Sequence, residues 1–218
     1  MGAASWPEPA EAAVFIARIE KAQAALDESV AELTDSEAAA ASRLPGWSRG
    51  HVLTHLARHA DATSRMVEGA QRGELAPQYV GGAAGRAAEI ERGASRSAAE
   101  LIADLRGAGE RCGRVLRSTT PLHWAERIGS SGEFPATKAL VSRWREIEIH
   151  RVDLDLGYHS GDWSAEFVEF FLPQELSRLP ERAPGVAAPP GIPDHAVLAW
   201  LVGRAQTGAG MPPLPAWG

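Results

Sequence analysis

The chain has 218 residues, of which 44% are hydrophobic and 23% charged, and its formal net charge is −6. That length supports a self-sufficient core, and the acidic balance excludes the basic face a nucleic-acid binder needs. No run of about eighteen apolar residues offers a membrane span, so neither nucleic acid nor membrane is an expected partner.

The opening "MGAASWPEPAEAAVF" lacks the basic and then apolar order of a secretory signal. Trp6 stands where a myristoylation pattern needs a hydroxyl, so a cytoplasmic protein is expected. Residues 8–33 place Phe15, Ile19, Ala22, Leu26, Val30 and Leu33 near helical spacing and predict an amphipathic helix. Thr34 and Glu37 fit a capping box for a short turn. After "LPGW", Ser48 suits the N-cap of a second long helix over about 49–72. The stretch "YVGGAAGR" separates it from further helix, and Ser97 with Glu100 caps a third long one. Cys112 lies within that third helix; as the single cysteine it has no disulfide partner and reads as a packing residue. A loop over 120–134 follows, and Pro135 suits the first turn of a fourth helix reaching about 156.

Four long helices with short connections predict a four-helix bundle over residues 1–158 and a small C-terminal domain over 159–218. In the latter, "DWSAEFVEFFLPQELSRL" reads as helix and "PERAPGVAAPPGIPD" as irregular chain. "HAVLAWLVGRAQTG" reads as a short helix stopped by Gly208, and the tail "MPPLPAW" as an extended segment packed back by Trp217.

Two segments carry chemistry. In "RLPGWSRGHVLTHLARHADA", His51, His55 and His59 recur every four residues, so all three lean to one side of the second helix. In "SRWREIEIHRVDLDLGY", Glu146 and His150 are four apart and share a face, whereas Glu148 points nearly opposite. A carboxylate and an imidazole are two thirds of a zinc site that keeps an open position. The second helix is the obvious donor of the third ligand. His51 lies in the first turn and His59 has Arg58 and Asp61 as polar neighbours, which favours His55. Asp153, three residues past His150, suits either an outer hydrogen bond to an imidazole or a salt bridge to an arginine. Trp47 and Trp144 read as core aromatics.

These two segments, with "WLVGRAQTG" and "PPLPAW" near the end, resemble the mycothiol-dependent maleylpyruvate isomerase family within the DinB-like metalloprotein superfamily. The resemblance implies a mainly α fold, a DinB-like four-helix bundle followed by a small α+β C-terminal domain. It implies a divalent metal, usually zinc, held by His55 of the "HLA" triplet and by Glu146 and His150 of the E-x-x-x-H motif. It implies Arg204 of "GRA" as a contact for an anionic substrate. It also implies mycothiol as the thiol cofactor and, as the reaction, cis–trans isomerisation of maleylpyruvate to fumarylpyruvate in gentisate breakdown. Arg49, at the start of the second helix, is a second candidate for substrate anion binding, against a solvated helix-end role. Two His and one Glu suit zinc without excluding iron, nickel or manganese. Other functions compatible with the same residues are a mycothiol S-transferase acting on another electrophile, a non-catalytic metal-binding bundle, and a metal-free bundle.

Overall fold

The computed structural model describes residues 6–205, 210–215 and 217. Trp6–Leu156 form one compact unit, and the described residues from Gly157 onward form a second.

In the first unit, a 3-10 turn at Pro9–Glu11 leads into α1 (Ala12–Ser29), whose Phe15, Ile19, Ala22 and Leu26 are buried at the expected spacing. The short α2 (Asp35–Ala39) is started by the Thr34–Glu37 capping box. The second long helix, α3 (Arg49–Gln71), begins at Ser48, and α4 (Gly82–Gly93) starts inside the glycine-rich stretch rather than after it. The third, α5 (Ala98–Ser118), begins at the Ser97–Glu100 box. What was expected as a loop contains the one-turn α6 (Pro121–Trp124) and a two-stranded antiparallel hairpin, β1 (Arg127–Ile128) with β2 (Phe134–Pro135). Pro135 therefore pairs opposite Arg127 instead of opening a helix, and α7 runs only from Lys138 to Asp153. Proline tolerates both an edge strand and a first helical turn, so its type alone could not decide.

The helices α1, α3, α5 and α7 pack in a ring, α3 on α5 and α7, α1 on α5 and α7, which is a four-helix bundle. Its centre is filled by Leu26, Leu53, Leu56, Leu105, Leu140 and Trp144. Close approach is bought with small residues: a Cβ on Gly93 would stand 2.5 Å from the Thr54 side chain, so only glycine lets α4 end against α3. No helix among the described residues is long and apolar enough to cross a membrane.

In the second unit, a 3-10 turn at Ser160–Asp162 precedes α8 (Ala165–Arg182), capped by Ser164 and carrying Pro173 and Pro180 in its body. Then α9 (Asp194–Leu201) packs on α8. The segment 183–193 is irregular, as its Pro, Gly and Ala content predicts. Trp163, Phe167 and Phe171 stack in sequence, and Arg182 donates to the Leu201 carbonyl at 2.7 Å. The tail is held by Trp200 Nε1 donating to the Pro212 carbonyl, 2.7 Å, and by Trp217 Nε1 donating to Glu175, 3.2 Å. The described residues of this unit carry helices and no strand; Gly208, the expected helix stop, lies outside the described residues.

Candidate metal centre

The three histidines of α3 have separate fates. His51 completes the cap of its own helix: the Ser48 backbone N–H donates to His51 Nδ1 at 3.1 Å, and Ser48 Oγ lies 2.8 Å from the same nitrogen. Its Nε2 is 3.2 Å from the exposed Glu91. His55, one turn on, is 1% exposed and faces α7. His59, one turn further, is 3% exposed, so its polar sequence neighbours misrepresent it. Arg58 and Asp61 turn outward to Asp104 and Arg111, about 100° and 200° around the helix from His59.

On α7 the side chains of Glu146 and His150 project from one face toward His55. Nε2 of His55 donates to Oε2 of Glu146 at 2.9 Å, and Nε2 of His150 lies 3.3 Å from the same oxygen. The rings of His55 and His150 are 4.5 Å apart and nearly perpendicular. One ligand atom from each of His55, Glu146 and His150 falls within 4.8 Å of the other two, and Glu148 has no part in the group. This donor set suits a divalent metal: two imidazoles and a carboxylate on rigid helices, with one position open. On the outer side, His150 Nδ1 is 2.7 Å from Asp153 Oδ2, so Asp153 accepts that ring's Nδ1 proton; in the neutral ring this leaves Nε2 with the lone pair a metal needs.

His55 is oriented differently. Arg86 of α4 reaches over the site, and its Nη2 donates to His55 Nδ1 at 3.1 Å. The same guanidinium stands 5.7 Å from the centre of the Tyr79 ring. Arg86 was not predicted by sequence, because the Gly/Ala-rich segment around it has no periodicity from which to read a facing direction. Ligation through His55 Nε2 needs the proton on Nδ1, and an arginine has no lone pair to receive it. Ligation through His55 Nε2 would therefore cost this Arg86 hydrogen bond.

Electrostatics tune the cluster. Burial, and then the neighbouring His150, push His55 down to about 4, and burial pushes His59 down to about 3. Burial also opposes the charge on Glu146, but His59 and the hydrogen-bonded His150 and His55 outweigh it and hold the carboxyl well below its usual range. Burial works against His150⁺ in the same way, and hydrogen bonds to Asp153 and Glu146 more than offset it, so its pKa is raised. Beneath the trio lies Arg143, 1% exposed, whose Nη1 donates to the Leu56 carbonyl at 2.9 Å and Nη2 to Gln23 at 2.7 Å.

Two other residues singled out by sequence fall elsewhere. Arg49 binds the Leu154 carbonyl at 2.6 Å and the Asp155 and Glu37 carbonyls at 3.1 and 3.2 Å, so it clamps the start of α3 to the end of α7. Arg204 lies in the C-terminal unit, where Nη1 donates to the Val202 carbonyl at 2.7 Å and the guanidinium stands 5.4 Å from the Trp217 ring. Cys112 is buried, and burial pushes its thiol pKa up, which keeps it protonated.

Fold and cluster together define a helical bundle with a carboxylate–imidazole trio between two facing helices. The family model described as the mycothiol maleylpyruvate isomerase N-terminal domain matches residues 19–155, and the chain belongs to that family. Among solved structures it is similar to one described as the mycothiol-dependent maleylpyruvate isomerase, at 21% identity and a TM-score of 0.83 over 97% of this chain and 100% of that one. A histidine-to-alanine mutant of such an isomerase aligns equally well, with a TM-score of 0.83, 20% identity and the same two coverages. At this identity the likeness is one of fold. No curated protein matches the sequence.

Proposed function

We propose that the protein is a metal- and mycothiol-dependent cis–trans isomerase that converts maleylpyruvate to fumarylpyruvate. The observation that carries this reading is the convergence of His55, Glu146 and His150 within 4.8 Å in a bundle of this family. These three residues would hold the divalent metal, with zinc the best match to the donor set. When bound, the metal lowers the pKa of an incoming thiol and keeps it as thiolate at neutral pH. Cys112 is buried and protonated, so the thiol has to come from outside the chain, as the family's dependence on mycothiol supposes.

The chemistry asked of the protein is then to bind and orient a dianion. The substrate's conjugated cis double bond becomes a single bond when sulfur adds, rotates, and returns as the trans double bond when sulfur leaves. Addition moves negative charge toward the carbonyl side, which fixed cations stabilise. Arg204 is proposed to receive one carboxylate in bidentate fashion. Arg86, half-buried beside His55, is a further candidate cation for a substrate carboxylate at the cluster.

The test is isomerisation of maleylpyruvate by purified protein with and without mycothiol, before and after chelation, with metal content measured in each sample. Activity that requires both metal and thiol supports the proposal. Stoichiometric metal with no isomerisation points instead to an S-transferase or a non-catalytic binder, and protein that takes up no metal sinks the mechanism.

A further inference from the structure

His59 belongs to no interaction that explains its place. It is 97% buried by its 3% exposure, and its Nδ1 has no hydrogen-bond partner. A buried polar group without a partner costs about 1–3 kcal/mol, a cost that a ligand reaching this nitrogen would offset. The helix register shows where that partner sits. Arg49 meets Leu154 and His55 meets His150, so α3 and α7 run antiparallel, and the same register sets His59 opposite Glu146. His59 is accordingly the leading electrostatic neighbour of the Glu146 carboxylate. The two helices thus face each other with two pairs at four-residue spacing, His55 with His59 and Glu146 with His150.

The distances are close to those of a shared ion. Two imidazoles on one zinc hold their ring centres roughly 5 Å apart, given Zn–N bonds of about 2 Å and tetrahedral angles. The His55 ring centre is 4.5 Å from that of His150 and 6.1 Å from that of His59. His59 stands outside the group whose ligand atoms fall within 4.8 Å of one another, and its ring would have to close by about an ångström on that of His55 to match this spacing. We propose that His59 is a fourth protein ligand of this centre, holding the resting metal at the position a thiol would otherwise take. This rests on the metal reading above and adds to it a competition: a thiol binds at the expense of His59.

The test uses Co²⁺ as the probe metal and compares wild type with His59→Ala and His59→Gln, each first shown to be folded by thermal unfolding of the metal-free protein. Both variants are expected to bind Co²⁺ at least about tenfold more weakly and to show an altered visible absorption spectrum. N-acetylcysteine is expected to bind the Co²⁺-loaded variants more tightly than the loaded wild type, since no imidazole competes. Wild-type Co²⁺ affinity, spectrum and thiol affinity in both variants overturn the role of His59 while leaving the three-ligand centre standing. Wild-type protein that takes up no Co²⁺ removes the centre itself, and His59's role with it.

Discussion

Nδ1 of His150 lies 2.7 Å from Oδ2 of Asp153, one turn further along α7, and the Asp153 side chain is 1% exposed. A buried carboxylate in that place fixes the ring's orientation and tautomer and raises the basicity of Nε2. Asp153→Ala is expected to weaken metal binding about 10- to 100-fold, with Asp153→Asn between it and wild type because the amide oxygen still accepts the bond. Competition with a chromophoric chelator measures this. An unchanged affinity in Asp153→Ala would mean that His150 does not bind through Nε2.

In the proposed metal centre Arg86 would oppose the ion twice, by its charge and by donating to His55 Nδ1. Arg86→Met is therefore expected to tighten metal binding several-fold while raising KM for the anionic substrate. The two effects separate its roles. A tighter metal with normal KM would leave the guanidinium without a substrate contact, and a weaker metal would show that Arg86 supports the site rather than covering it.

The metal-free protein should be acid-sensitive. His55 and His59 have folded pKa values of about 4 and about 3, below the unfolded value near 6.5. Their contribution is present above about pH 6.5 and is lost as pH falls through that value toward the folded ones. The lowered Glu146 has the same sign in the carboxylate range, whereas His150, whose pKa is raised, contributes below about pH 6.5 and fades as pH rises. The groups facing His59 are Glu146, Arg143, His55 and His150. Between pH 7 and pH 5 a net loss of roughly 2–4 kcal/mol is expected by urea denaturation, and a smaller one in His59→Gln. A protein that becomes more resistant to urea at pH 5 would contradict this assignment.

Arg143 bridges the two ligand-bearing helices through the carbonyl of Leu56, the residue next to His55. Arg143→Ala removes this second bond to a carbonyl that keeps its own helical one, and leaves a void where a fully buried side chain stood, for an expected loss of about 3 kcal/mol. Arg143→Met fills the volume and removes a buried charge, so it should cost less. Denaturant midpoints order the three proteins, and equal midpoints for wild type and Arg143→Ala would show that the bridge adds no stability.

Much of this was legible in the sequence because it is local. The caps at Thr34, Ser48 and Ser97 and the buried positions of α1 follow from residue type and spacing, and so does the shared face of Glu146 and His150. What failed depended on partners far along the chain. Pro135 satisfied the rule for a first helical turn, yet its place was decided by pairing with Arg127. His59 seemed peripheral because Arg58 and Asp61 flank it, but successive helix residues point about 100° apart and polar neighbours say little about a side chain's own face. Arg86 had no pattern around it at all. For His55 its place along the helix and the family resemblance pointed the same way, and the structure brings that side chain to Glu146 and His150.

His55 and Glu146 are 91 residues apart in sequence, and nothing within either helix can bring them together. A chain emerging from the ribosome has α1, α3 and α5 in hand while it still lacks two of the three donors. Only when α7 has been made and docked does the cluster exist, since each helix alone offers a two-donor fragment at best. If the cluster holds a metal as proposed, uptake would be a late event that only a finished bundle performs. A truncated or misdocked chain would then forfeit the ion together with the fold, and retention of metal would serve as an assay of completed assembly.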